Sequence, residues 1–259
     1  MKKKKLGFAL GAGGSRGVAH IGFLKAMEEE GIKPDFITGC SMGSVIGAAY
    51  AVGMPIEDME KAVFKLRVLD LIAPTGRGGL FETRKIRKLL QRYMGNPDFS
   101  DLRVPFRCIA VDMLTQEVVE FSEGKVLDGV VASSCIPAIF KPIEQDGKRL
   151  IDGGILERVP YKYVRNMGAE AVVAVDVLGW RVCSPKMPST LGVLFEMIDI
   201  MDNERTRRQK EKDVDLYDLW IEPDLGCMSP YSFKQFAFAR DKGYEIGKSY
   251  AKDIKKLYT

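Results

Sequence analysis

The stretch that decides the fold is TGCSMGSVIGA, residues 38–48. It begins at the end of the apolar run DFITGC and continues into small and apolar residues, so we predict a strand, a tight turn and then a helix over 42–53. Ser41 occupies that turn between Gly39 and Gly43. A serine in this position either caps the helix or acts as a nucleophile whose glycine neighbours leave room for an acyl group.

The same order of strand, turn and helix occurs once before this stretch. LGFAL at 6–10 leads into GAGGSRG at 11–17, and a helical pattern then runs to Gly31. Further strand candidates alternate with helical candidates, which predicts a mainly parallel sheet covered on both faces. The strands are expected at 106–113, 117–124, 171–177 and 218–223, and the helices at 55–70, 83–93, 124–134, 189–212 and 232–256. Since no repeat or boundary interrupts the pattern, we expect a single domain over 1–259.

Composition narrows the class of protein. The formal charge of +4 is far below that of nucleic-acid-binding domains, so we expect no nucleic-acid partner. Five cysteines without close pairs suggest neither a disulfide framework nor a zinc site and favour reduced, buried thiols. No apolar run reaches the length of a membrane-spanning helix. We therefore expect a cytoplasmic protein and leave peripheral contact with a membrane surface open.

A serine nucleophile needs a base, and two residues are candidates. His20 is the only histidine, but it lies in an apolar helical pattern between Val18 and Ile21, which favours a packed core residue over a triad member. Asp152 follows an apolar pair in RLIDGG, and a carboxylate in a poorly solvated pocket serves as a general base. The alternative for Asp152 is an ordinary Asp-Gly turn.

The loop GAGGSRG offers unobstructed backbone N–H groups to an oxyanion. We expect Gly13 and Gly14 to be the donors, with Ser15 as a third candidate. Arg16 either anchors the loop through carbonyl groups or attracts an anionic head group. It also occupies the position where a dinucleotide fingerprint requires glycine, and no Gly-Lys-Ser/Thr phosphate loop follows. No nucleotide cofactor and no metal are therefore expected.

Three blocks, GAGGSRGVAHIG, GCSMGS and IDGG, in this order resemble the patatin-like phospholipase family, and the similarity extends over nearly the whole chain. The resemblance implies a three-layer α/β/α fold and a lipid ester substrate. It further implies a catalytic dyad of Ser41 and Asp152, oxyanion donors at Gly13 and Gly14, and no cofactor. Supporting roles would fall to the other glycines and the arginine of these blocks, namely Arg16, Gly39, Gly43, Gly153 and Gly154.

Two positions bear on how far the resemblance extends. Compact family members often have a histidine where this chain has His20, without using it as the base. Arg158 stands where asparagine is frequent after Asp-Gly-Gly, which puts the support of that loop and the head-group preference in doubt.

The expected function is hydrolysis of phospholipid or lysophospholipid esters through an acyl-enzyme. The alternatives are an acyltransferase that uses the same dyad and a catalytically silent module that binds a membrane surface. Two apolar stretches, 59–74 and 189–212, are candidates for membrane contact, although their spacing favours core packing. In the second stretch the apolar face would comprise Leu191, Leu194, Phe195, Ile198 and Met201, and the basic run at 205–212 should be a solvated surface.

Overall fold

A computed structural model describes residues 3–71, 73–75, 78–179 and 190–259, without the side chains of residues 68, 69, 190, 191 and 195. The strands are β1 Leu6–Leu10, β2 Phe36–Cys40, β3 Phe106–Asp112, β4 Glu117–Phe121, β5 Ile143–Gln145, β6 Lys148–Asp152, β7 Ala171–Val175 and β8 Leu219–Ile221. The helices are α1 Ala19–Glu29, α2 Met42–Val52, α3 Ile56–Phe64, α4 Val68–Leu71, α5 Arg84–Met94, α6 Val126–Ser133, α7 Tyr161–Asn166, α8 Thr190–Lys212 and α9 Phe236–Tyr258.

All of the described strands belong to one sheet. Strands β8, β7, β1, β2 and β3 are adjacent in that order and parallel, while β4 and β6 are antiparallel to β3 and β5 forms a hairpin with β6. The prediction of a mainly parallel sheet is therefore confirmed.

Both faces of the sheet are covered by helices, as predicted. In β1, Leu6, Phe8 and Leu10 pack with residues of α1, α2 and α9 in the larger core cluster. Ala9 belongs to a separate cluster with β7 and α7. Because every residue of β1 is buried, its apolar sequence has no polar alternation. The result is a three-layer α/β/α arrangement.

The position of β6 decides where the candidate site forms. One side of β3 pairs with β2 up to the Cys40–Ile109 pair, and on the same side β6 begins to pair at Asp152–Ala110. The other side of β3 is occupied by β4. Since β2 and β6 run towards each other along one side of β3, their carboxyl ends meet.

Some details differ from the prediction. The segment 55–70 forms two helices, α3 and the start of α4, and the hairpin of β5 and β6 and the short α7 were not predicted. Asp146 and Gly147 form the hairpin turn with φ values of 51° and 75°, so the Asp-Gly pair was a usable signal.

Cys40, Cys108 and Cys135 are free and buried, but Cys227 is disulfide-bonded, so the expectation of reduced thiols is wrong for Cys227. In the described part of the chain, no helix combines the length and apolarity needed to cross a bilayer.

Candidate active site

Ser41 occupies the sharp turn between β2 and α2. Its backbone has φ 52° and ψ −123°, a left-handed region that is strained for a residue with a side chain. Two contacts hold this conformation: the Ser41 N–H donates to Ser133 Oγ at 2.8 Å, and the Ser41 carbonyl accepts from Ser44 Oγ at 2.6 Å. The side chain makes no hydrogen bond to the first turn of α2, so Ser41 is not a helix-capping serine.

The glycines on either side of Ser41 allow very close packing of the turn. A Cβ on Gly43 would lie 2.1 Å from the Leu10 carbonyl oxygen, and one on Gly39 would lie 2.5 Å from the Gly43 carbonyl oxygen. Both obstacles are backbone atoms and do not move aside as a flexible side chain would. Gly43 is therefore required by the contact of the turn with β1, and Gly39 by its contact with the first residues of α2.

Asp152 lies opposite the hydroxyl of Ser41, as the meeting of β2 and β6 requires. Ser41 Oγ donates to Asp152 Oδ2 at 2.5 Å, a short hydrogen bond of the kind made to a carboxylate. The second carboxylate oxygen, Oδ1, accepts from the Gly154 N–H at 2.8 Å. Ser41 and Asp152 are 4% and 6% exposed. The serine and the carboxylate thus form a buried, hydrogen-bonded pair.

The surroundings of Asp152 favour its protonated form. Burial raises the pKa of Asp152 from 3.8 to about 6, opposed by the hydrogen bonds from Ser41 and Gly154 and assisted by the negative charge of Asp202. A carboxyl group with a pKa of about 6 can accept and return a proton near neutral pH.

The glycine-rich loop forms one wall of a cavity of about 90 Å³ that also contains Ser41 and Asp152. Gly13 and Gly14 line this cavity. Gly14 has φ 52°, and Pro230 occupies the space that a side chain at this position would need. The Ser15 N–H donates to the Pro230 carbonyl at 2.8 Å. Because the Ser15 N–H already has this acceptor, it is not available to an oxyanion.

Arg16 anchors the glycine-rich loop to two other segments of the chain. Its guanidinium is buried and donates to the carbonyl oxygens of Val177, Leu178, Gly226 and Met228 at 2.8–3.1 Å. Of the two roles expected for Arg16, these contacts fit anchoring through carbonyl groups. Four backbone oxygens from two separate segments are thereby held around the base of the loop.

His20 lies in α1 and holds the start of the same loop instead of forming a triad. Its Nε2 is 2.8 Å from the Gly11 carbonyl oxygen and donates a hydrogen bond to it, while Nδ1 has no hydrogen-bond partner among the described residues. Burial lowers the pKa of His20 to about 4, so the ring is neutral. A triad would need a carboxylate on the second ring nitrogen and the serine on the first.

The sequence analysis missed a charged network behind the Asp-Gly-Gly turn. Arg158 is 4% exposed and pairs with Asp176 at 2.7 Å and Asp202 at 2.8 Å. Arg205 pairs with Asp202 and donates to the Gly154 carbonyl at 2.8 Å. Arg205 was expected on a solvated surface, so that expectation is wrong for it. The spacing Asp202, Arg205 on one helix side was the only available signal, and it does not identify a partner.

A second cleft in the described part of the chain lies away from Ser41 and Asp152. A larger cleft of about 490 Å³ lies at the carboxyl end of α2, beside Gly53, Lys61 and Arg92, without Ser41 or Asp152 in its lining. Among the described residues, no group of three or more His, Cys, Asp or Glu side chains is arranged to hold a metal ion.

Gly153 and Gly154 lie beside Asp152, and a Cβ on Gly153 would be 2.5 Å from the Ile109 carbonyl oxygen.

Comparison with known proteins identifies the family of the chain. Residues 8–165 match the family described as patatin-like phospholipase. An uncharacterised NTE family protein of Mycobacterium tuberculosis is 33% identical over 178 residues, which cover 68% of this chain and 49% of that protein. A lysophospholipase of Aspergillus niger is 26% identical over 98% of this chain but only 18% of its own length. This chain thus spans about half the length of the mycobacterial relative.

Among solved structures, VipD from Legionella pneumophila has a similar fold. The two structures superpose with a TM-score of 0.53 at 12% sequence identity, over 100% of this chain and 67% of VipD. At this level of identity the similarity concerns the fold alone.

Proposed function

Because the chain belongs to the patatin-like phospholipase family, we propose that it hydrolyses ester bonds of phospholipids or lysophospholipids through Ser41 and Asp152. The observation that carries the proposal is the 2.5 Å hydrogen bond between Ser41 Oγ and Asp152 Oδ2 in a buried pair. The patatin-like match and the resemblance to a lysophospholipase support the lipid class of the substrate.

In the proposed reaction, Asp152 accepts the proton of Ser41 as Oγ attacks the ester carbonyl. The N–H groups of Gly13 and Gly14 stabilise the negative charge that develops on the carbonyl oxygen. Asp152 then protonates the departing alcohol, leaving an acyl group on Ser41. Asp152 next accepts a proton from water as that water attacks the acyl carbonyl, and returns the proton to Ser41 Oγ as the bond between Oγ and the acyl group breaks and the fatty acid is released. One carboxylate serves in both half-reactions because it regains its unprotonated form after each.

We propose further that residues 1–259 act as one acyl hydrolase domain. The strands that form the single sheet come from positions between 6 and 221, and the final helix α9 packs against α1. Strands from early and late parts of the chain are neighbours in this sheet, since β1 pairs with β7 and β3 pairs with β6.

The test combines labelling with product analysis. A fluorophosphonate probe should label the purified protein but not the Ser41→Ala variant, and Ser249→Ala, at an exposed serine of α9, is the matched control that should keep the label. Phosphatidylcholine and lysophosphatidylcholine should release free fatty acid, and Ser41→Ala and Asp152→Asn should lower that rate at least a thousandfold.

The outcomes separate the alternatives. Acylated glycerol formed in place of fatty acid, when glycerol is present, would identify an acyltransferase. A protein that neither takes the probe nor releases fatty acid would be a silent binding module, and the proposed function would be abandoned.

A further inference from the structure

The first half of α8 exposes an unusual number of large apolar side chains. Their exposed fractions run from 38% to 69%, whereas the same stretch was expected to pack in the core. The residues, here called the α8 apolar face, are Val193, Leu194, Met197, Ile198, Ile200 and Met201. The expectation of core packing is wrong for Leu194, Ile198 and Met201; the side chains of Leu191 and Phe195 lie outside the described part of the structure.

These residues share one side of the helix. Leu194, Met197, Ile198 and Met201 follow the spacing i, i+3, i+4, i+7, and Val193 and Ile200 widen the same side. A contiguous exposed apolar surface of this kind is uncommon on a monomer and marks a surface that meets a partner or a lipid phase.

The α8 apolar face continues into the catalytic cavity. Ile198 belongs to the face and also lines the cavity that contains Ser41 and Asp152. On another part of the cavity lining, Tyr231 is 42% exposed. The α8 apolar face therefore borders the cavity at Ile198.

The residues of α8 that follow the apolar face contact the segment after Asp152. Asp202 pairs with the buried Arg158, and Arg205 donates to the carbonyl oxygens of Gly154 and Ile155. These contacts fix α8 against the segment that follows Asp152. A surface held by α8 is thereby held at a defined position relative to the proposed nucleophile.

Resting on the proposed lipid hydrolase function, we propose that the α8 apolar face docks on the surface of a zwitterionic phospholipid bilayer or micelle. The cavity of about 90 Å³ is well below the volume of sites that enclose a whole drug-sized ligand, so most of a phospholipid must remain outside it. Docking would place the cavity mouth on the lipid surface, where a single ester group can enter.

Two observations select this occupant. A second copy of the chain seated on the α8 apolar face would cover Ile198 and close the mouth of the cavity, which conflicts with hydrolysis. Between residues 193 and 201 the charged residues are Glu196 and Asp199, without a lysine or arginine. Such a segment has no charge attraction to an anionic lipid surface.

The experiment measures vesicle binding and hydrolysis separately. In the Ser41→Ala background, which avoids lipid turnover, Met197→Glu with Met201→Glu should lower flotation with phosphatidylcholine vesicles at least tenfold. Val214→Glu is the matched control. Val214 is 55% exposed and precedes the first residue of β8, whereas Ser41 follows the last residue of β2, at the other end of the parallel strands. In the active protein, the ratio of activity on vesicles to activity on a monomeric short-chain ester should fall at least tenfold for the double variant and stay constant for Val214→Glu.

Each alternative has its own signature. Equal flotation of the double variant and the control would overturn the docking proposal while hydrolysis of the short-chain ester still supported the proposed function. Flotation that appears only when phosphatidylglycerol is added would show that charge and not this face binds the lipid, and would also overturn it. A dimer of the wild type that the double variant separates would make the face an interface between copies. If the wild type does not hydrolyse esters, the proposed function is overturned. The flotation assay would still test whether the α8 apolar face binds lipid.

Discussion

Replacing Asp152 by asparagine should abolish hydrolysis and at the same time stabilise the folded protein. The substitution keeps the size of the side chain, and its amide oxygen can still accept from the Gly154 N–H as Oδ1 does at 2.8 Å. What it removes is a buried negative charge. A proposed catalytic group held in an unfavourable environment predicts this opposite effect on activity and stability.

The magnitude follows from the pKa of Asp152, which burial raises from 3.8 to about 6. A raised pKa means that the folded protein holds the proton more tightly than the unfolded chain does, so the charged form costs folding free energy at high pH. At pH 7 this cost is about 3 kcal/mol, from 1.36 kcal/mol per pKa unit. It shrinks to about 1 kcal/mol at pH 4.5 and vanishes below the ordinary pKa, where both states are protonated.

Urea unfolding at pH 7 and pH 4.5 would measure this effect. The Asp152→Asn variant should gain about 3 kcal/mol over the wild type at pH 7 and about 1 kcal/mol at pH 4.5. Ser41→Ala is the matched control, because it is expected to be inactive and yet keeps the buried charge, so it should show no such gain. An Asp152→Asn variant that is no more stable than the wild type at pH 7, or whose gain is the same at both pH values, would refute the account of Asp152 as a costly buried carboxylate.

Three further outcomes are expected. In the wild type, kcat/KM on a soluble ester should fall about tenfold from pH 7 to pH 5, because the base must be unprotonated; a flat profile over this range would contradict a base with the pKa of Asp152. The His20→Gln variant should lose about 1–3 kcal/mol of stability through a weakened hydrogen bond to Gly11 while the acid limb of its pH profile stays near that of the wild type; a displaced limb would implicate the imidazole in proton transfer. Arg158→Asn, which introduces the residue frequent in the family, should cost about 3–5 kcal/mol at pH 7, as measured by urea unfolding, because it removes the ion pair of the buried Asp176 and leaves Asp202 paired with Arg205 alone; an unchanged midpoint would show that this network adds no stability.

Much of the candidate site could be predicted because its signals are local. The turn at Ser41 depends on Gly39 and Gly43, which are neighbours in sequence and have no room for a Cβ. The glycine-rich loop also forms from consecutive residues between β1 and α1. Local signals give the position of a turn, but they do not report which backbone donors are already engaged. The Ser15 N–H illustrates this, since its acceptor, Pro230, comes from a distant segment.

Surface exposure was the least predictable property. The spacing of Leu194, Ile198 and Met201 is the same for a helix that faces a core and for one that faces solvent or lipid. Arg205 likewise lies in a basic run that is typical of a solvated surface, although its guanidinium contacts the Gly154 carbonyl. Periodicity gives the side of a helix on which residues lie; the partner on that side depends on how the whole chain packs.

The sequence by itself determined the parallel α/β layers, the family, and the two short motifs that contain Ser41 and Asp152, since each depends on residues close together in the chain. Only the tertiary structure decided that these motifs meet. Their contact depends on β2 and β6 pairing along the same side of β3, at Ile109 and Ala110, so that residues 111 positions apart come within 2.5 Å. Such pairing is set by the packing of the entire sheet, and the burial it produces is what raises the pKa of the carboxyl group.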